Sequence, residues 1–83
     1  MPEYEYQSDT PAGLVRVRKE SDGLWSVYLG DRKWIADFRL PEWAIDAIAS
    51  HDYKFPDGVK FFGNSSNLGL SDNMSHWKRV RVK

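Results

Sequence analysis

The residues of this chain best suited to chemistry are arginines set two apart in two similar runs. Arg16 and Arg18 stand in Leu14-Val15-Arg16-Val17-Arg18-Lys19. Arg79 and Arg81 stand in Trp77-Lys78-Arg79-Val80-Arg81-Val82-Lys83. A guanidinium offers a rigid fork of donors that fits a carboxylate or a phosphate. In a strand, side chains alternate between faces. With Val15, Val17, Val80 and Val82 turned to a core, Arg16, Arg18, Arg79 and Arg81 would share one outer, solvent-exposed face, joined by Lys33, Arg39 and Lys83. The same parity puts Tyr28 and Trp77 among them. Aromatic rings between arginines suit stacking on bases or anchoring a protein interface. The partner-binding set is therefore Arg16, Arg18, Tyr28, Trp77, Arg79, Arg81 and Lys83. The plainer reading is a solvated strand face whose arginines pair with Glu20, Asp22 or Asp37 and keep an edge from aggregating.

Other chemistry finds little support. There is no cysteine, which excludes disulfides and thiol nucleophiles and removes the usual zinc ligands. His51 and His76 are too few for a metal site of ordinary spacing. Ser65, Ser66, Ser71 and Ser75 lie in a Gly-Asn-Ser-rich stretch where small polar residues serve turns. Neither histidine sits in a nucleophile motif, and Gly63 and Gly69 do not form a phosphate-binding pattern. Asn64-Ser65-Ser66 and Asn73-Met74-Ser75 match the glycosylation pattern, which is common by chance. No catalytic, cofactor-binding or metal-binding residue is assigned, and no enzyme activity or cofactor is expected.

The elements that would position the arginines follow from pattern. Tyr4 and Tyr6 alternate with Glu3, Glu5 and Gln7 as in a short strand, and Thr10-Pro11-Ala12-Gly13 signals a turn. Leu14–Glu20 reads as a strand and Ser21-Asp22-Gly23 as a turn. Leu24–Leu29 is a second strand with Trp25, Val27 and Leu29 on one face and Ser26 and Tyr28 on the other. Gly30-Asp31 closes a hairpin to Arg32–Arg39. There Trp34, Ala36 and Phe38 share a face opposite Lys33, Ile35, Asp37 and Arg39. Pro41 opens a helix to about residue 50, carrying Ala44, Ile45 and Ile48 at helical spacing. After the Pro56-Asp57-Gly58 turn, Val59–Phe62 reads as a short strand and 63–75 as a long polar loop. The expected fold is α+β: an antiparallel sheet of four or five strands, meander first, with one helix on one face. The core is expected around Trp25, Val27, Trp34, Phe38, Ile45 and Ile48.

Length and charge bound the rest. Eighty-three residues suit one domain, with 1–13 either a short strand or a loose arm. Four Trp, four Tyr and four Phe help a small chain to build a core. Twelve Lys and Arg balance twelve Asp and Glu, so no global field steers the chain to nucleic acid. The charge is local instead: Glu3, Glu5 and Asp9 dominate the start, and Lys78, Arg79, Arg81 and Lys83 the end. The first residues lack the pattern of a secretory signal, no apolar run suits a membrane span, and a cysteine-free chain fits a reducing cytoplasm.

The reading that follows is a small non-catalytic protein-binding module, monomer or homodimer, occupying a surface of a larger protein or complex. Compact chains without chemical motifs often serve phages and mobile elements in this way, inhibiting host defence or nucleic-acid-handling complexes. Direct nucleic-acid binding by the basic sheet face is the alternative. A structural subunit that pairs through an edge strand is a third reading.

Overall fold

The computed structural model describes residues 3–56, 58 and 68–82. Five strands form one antiparallel sheet: β1 (Tyr4–Thr10), β2 (Gly13–Lys19), β3 (Trp25–Leu29), β4 (Arg32–Phe38) and β5 (Lys78–Arg81). Their order across the sheet is β4-β3-β2-β1-β5. Among the described residues a single α-helix, α1 (Pro41–Ser50), packs against β2, β3 and β4. The fold is thus the expected α+β arrangement, and the N-terminal segment is a full strand inside the sheet.

Turn chemistry sets the register. Thr10 Oγ1 donates to Gly13 O at 2.6 Å and accepts from the Ala12 N–H at 3.2 Å, clamping the two-residue loop between β1 and β2. Tyr6 then faces Val17, and Gln7 faces Arg16. Gly23 and Gly30 carry positive φ values of 86° and 61° in the next two turns, where a side chain would be strained. In β2 and β3 the pleat runs as expected: Val15, Val17, Trp25, Val27 and Leu29 lie on the helix side of the sheet, and Arg16, Arg18, Ser26 and Tyr28 on the other.

β4 departs from simple alternation. Its pairing with β3 shifts register twice, so that Val27 faces Ile35 and Trp25 faces Phe38. Ile35 therefore packs on the helix side, where strict alternation from Phe38 had placed it opposite. Asp37 absorbs one irregularity with φ at 73°, a left-handed conformation that Asp tolerates better than most residues. Trp34 packs its ring against Phe55, centroids 5.2 Å apart, and its indole N–H donates to Lys54 O at 2.7 Å.

Helix α1 starts at Pro41, whose missing N–H costs nothing in the first turn, and ends as the His51 N–H reaches Ala47 O at 2.9 Å. Ala44, Ile45, Ala47 and Ile48 are buried. Ala44, Ile45 and Ile48 meet Val15, Val17, Val27 and Leu29 in the core, which Leu68 and Trp77 complete. Trp25, Trp34 and Phe38, expected at the centre, are half-buried against that cluster. Trp43 is 55% exposed.

The expected 59–62 strand lies outside the described residues, as do 63–67 of the expected loop. From Leu68 onward the chain is built into the fold. Leu68 is buried and Leu70 packs on the core. Asn73 Oδ1 accepts from the Ser75 N–H at 3.0 Å and caps a 3-10 turn over Met74–His76. The Trp77 indole N–H donates to Ser71 O at 2.8 Å. Trp77 is thus pinned at 5% exposure, which corrects its expected place on an open face.

Trp77→Ala should destabilise the fold by ~3–5 kcal/mol, since a fully enclosed indole leaves a large cavity. Trp43→Ala should change stability by less than about 1 kcal/mol. Urea denaturation of the two variants beside the parent measures the contrast, and equal losses would contradict the burial described here.

Candidate functional site

The register divides the expected arginine face in two. Paired residues of antiparallel neighbours project to the same side. One row crosses all five strands on the side away from the helix: Lys78, Gln7, Arg16, Tyr28 and Lys33. Beside it, Val80 faces Glu5, and Arg18 faces Ser26. On the helix side, Arg79, Tyr6, Val17, Val27 and Ile35 form one row. Next to it Arg81 faces Tyr4, and Lys19 faces Trp25, which faces Phe38. Arg16, Arg18 and Tyr28 are therefore together, while Arg79, Arg81 and Trp77 lie on the opposite side. Lys83 falls outside the described residues.

This corrects the four-arginine face. Trp77, just before β5, does share a parity with Arg79 and Arg81, but it is the helix-side parity. One indole entering the core outweighs two valines at the sheet margin. Val80 is half-buried on the outer side, and Val82 is 36% exposed. Turning Arg79 and Arg81 to the helix side is inexpensive, because α1 packs on β2 to β4 and their guanidinium groups remain exposed.

The outer side is a neutralised network. Glu5 is 1% exposed although it lies on the face away from α1. Arg16 covers it with a two-pronged contact, Nε to Oε2 at 2.7 Å and Nη2 to Oε1 at 3.1 Å. Gln7 Nε2 donates to Oε2 at 2.7 Å, and Arg18 Nε stands 3.9 Å from Oε1. Arg16 also donates to Gly30 O at 3.1 Å. Hydrogen bonds from Arg16 hold the Glu5 carboxyl below its usual pKa, against the opposing effect of burial. Its contact with Glu5 likewise raises Arg16. Further along, the Tyr28 hydroxyl donates to Glu20 at 2.6 Å, and Lys33 stands 3.4 Å from the same carboxylate. The hydrogen bond to Glu20 raises the Tyr28 pKa. Arg16 and Tyr28, two of the expected contact residues, are thus committed to intramolecular partners.

The helix-side end of β1, β2 and β5 is different. The Arg79 guanidinium lies over the Tyr4 ring, 4.5 Å from its centroid. Tyr6 and Trp25 pack with centroids 6.1 Å apart. A shallow recess of about 200 Å³ is lined by Glu3, Tyr4, Tyr6, Lys19 and Trp25. Cations and half-buried rings alternate here, a composition typical of protein-interface anchors. Pairing β5 to β1 by a register in which Trp77 enters the core would have revealed this cluster from sequence.

Ser71 and His76 also meet, Ser71 Oγ lying 2.7 Å from Nδ1. Ser71 Oγ accepts from the Asn73 N–H at 3.1 Å, so the hydroxyl closes the turn that seats Trp77. Among the described residues no group of three His, Cys, Asp or Glu could hold a metal ion, and no helix is long and apolar enough to cross a membrane. No protein-family model, curated protein or solved structure matches the chain.

The Glu5 site makes a pH-dependent prediction. Its folded-state pKa lies below the unfolded value, so its stabilisation is complete above the ordinary carboxylate range and is lost as pH falls through the folded value. Glu5→Gln should cost about 2–4 kcal/mol at neutral pH by stranding the largely covered Arg16. It should also flatten the acid limb of the stability curve, as read by urea midpoints between pH 7 and pH 3.

Proposed function

We propose that this chain is a small non-catalytic protein-binding module that docks on an acidic surface of a larger protein. The carrying observation is the Arg79–Tyr4 stack beside the Tyr6–Trp25 pair, on a part of the sheet that the helix does not cover. Tyr, Trp and Arg are the residues that most often dominate binding energy at protein interfaces. Half-buried rings held by the sheet lose little entropy on contact, and Lys19 and Arg79 beside them suit carboxylates. A module of this kind acts by occupying its partner's surface, as an inhibitor of a host defence or nucleic-acid-handling complex would.

Single-stranded nucleic acid is the second reading, since rings alternating with cations also suit stacked bases. Glu3 in the recess weighs against it, because a carboxylate repels a phosphate chain. The outer face adds little to either reading, as Glu5 and Glu20 neutralise much of its charge.

Arg79→Glu combined with Arg81→Glu should weaken binding to the purified partner by at least ~2 kcal/mol, because repulsion replaces attraction. The folded state should lose no more than about 1 kcal/mol, the stack on Tyr4 being partly exposed. Arg18→Gln, on the opposite side, should leave affinity unchanged. Calorimetric titration with each variant decides between the faces. A steep salt slope, about −0.9 per phosphate neutralised on duplex DNA, would favour nucleic acid instead.

A further inference from the structure

We propose that β5 accepts one further strand along its outer edge, an extended acidic segment of the partner. The inference rests on the protein-binding reading above and names how the partner is held. The Val82 N–H donates to Glu3 O at 2.9 Å, which makes Val82 and Glu3 a hydrogen-bonded pair of the antiparallel ladder. Hydrogen-bonded and open pairs alternate along such a ladder. Val80 and Lys78 therefore direct their backbone groups to β1, and Arg79 directs its N–H and C=O to the outer edge. The Trp77 N–H is held by Met74 O at 3.1 Å, so the edge begins at Lys78.

The side chains say what such a strand must carry. Arg79 and Arg81 project to the helix side and Lys78 and Val80 to the other. An added strand places a side chain beside the Arg79 guanidinium, where a carboxylate is recognised, and an apolar residue beside Val80 on the other side. A second copy of this chain does not fit. Two β5 strands in antiparallel contact set Lys78, Arg79 and Arg81 against one another, and like charges across strands are destabilising. The charges that stop the edge from pairing with itself thus select an acidic partner. At the other margin, β4 is twice irregular in its pairing and is flanked by Lys54, so it offers no comparable template.

The test uses the intact chain and a short blocked peptide alternating Glu and Val. Binding is measured by calorimetry and by amide exchange. The proposal expects slowed exchange of the Arg79 amide on binding. It also expects N-methylation of one alternate set of peptide nitrogens to weaken affinity about tenfold or more, with the other set tolerated. A matching Lys and Val peptide should not bind. If the acidic peptide perturbs Tyr4 and Trp25 but is indifferent to N-methylation of either set, strand addition is overturned while the basic-aromatic surface stands. Equal binding of the Lys and Val peptide overturns the acidic selection. Absence of binding by the acidic peptide overturns strand addition, and unchanged partner affinity of the Arg79→Glu, Arg81→Glu variant separately overturns the surface reading.

Discussion

One short helix must serve a sheet wider than itself. Five strands span roughly 19 Å at ~4.8 Å spacing, while a helix with its side chains is about 10 Å across. Helix α1 accordingly packs on β2, β3 and β4. The apolar side chains under it are small or aliphatic and fully enclosed, as Val17, Val27, Ala44, Ile45 and Ile48 show. Beyond its reach the helix-side face is finished by other means. Trp77 and Leu68 join the buried cluster of Val15 and Leu29, and Tyr4, Tyr6, Trp25, Lys19 and Arg79 finish the end where Arg79 stacks on Tyr4. The candidate site is thus a product of the mismatch, formed where a larger domain would place a second helix.

The opposite side solves a separate problem. Among the described residues no layer covers this face, yet Glu5 is enclosed there by arginine and glutamine side chains. Long charged side chains can cover a surface with their stems while their heads stay wet. Among the described residues every buried side-chain polar atom has a hydrogen-bond partner. The network joins β1 to β2 through side chains as well as backbone, and so ties the N-terminal strand to the meander by interactions that burial alone would not supply.

How much of this was legible in the sequence varies with the strength of the local signal. The three-strand meander and the Pro41 helix followed from alternation, turn residues and helical spacing. The parity of Ile35 did not, because it depends on two bulges that leave no mark in a polar-apolar pattern. The face of β5 is obscured for another reason. Val80 and Val82 point to one parity and Trp77 to the other, and one buried indole removes far more apolar area from water than either valine. The Glu5–Arg16 contact was within reach: a two-residue turn at Pro11-Ala12 sets Gln7 opposite Arg16 and brings Glu5 within its span. What the residues could not reveal is that Arg16 would be consumed by that pairing, which turns an expected binding residue into a structural one.

Asp37 carries a consequence of another kind. Its left-handed backbone kinks β4 and breaks the even spacing of donors and acceptors along that margin. A sheet open at both margins can propagate, each added strand offering a template for the next. At an irregular margin a further strand can pair only by giving up part of the regular ladder of hydrogen bonds. A single left-handed residue thus guards the β4 margin against the edge-to-edge pairing from which fibres grow.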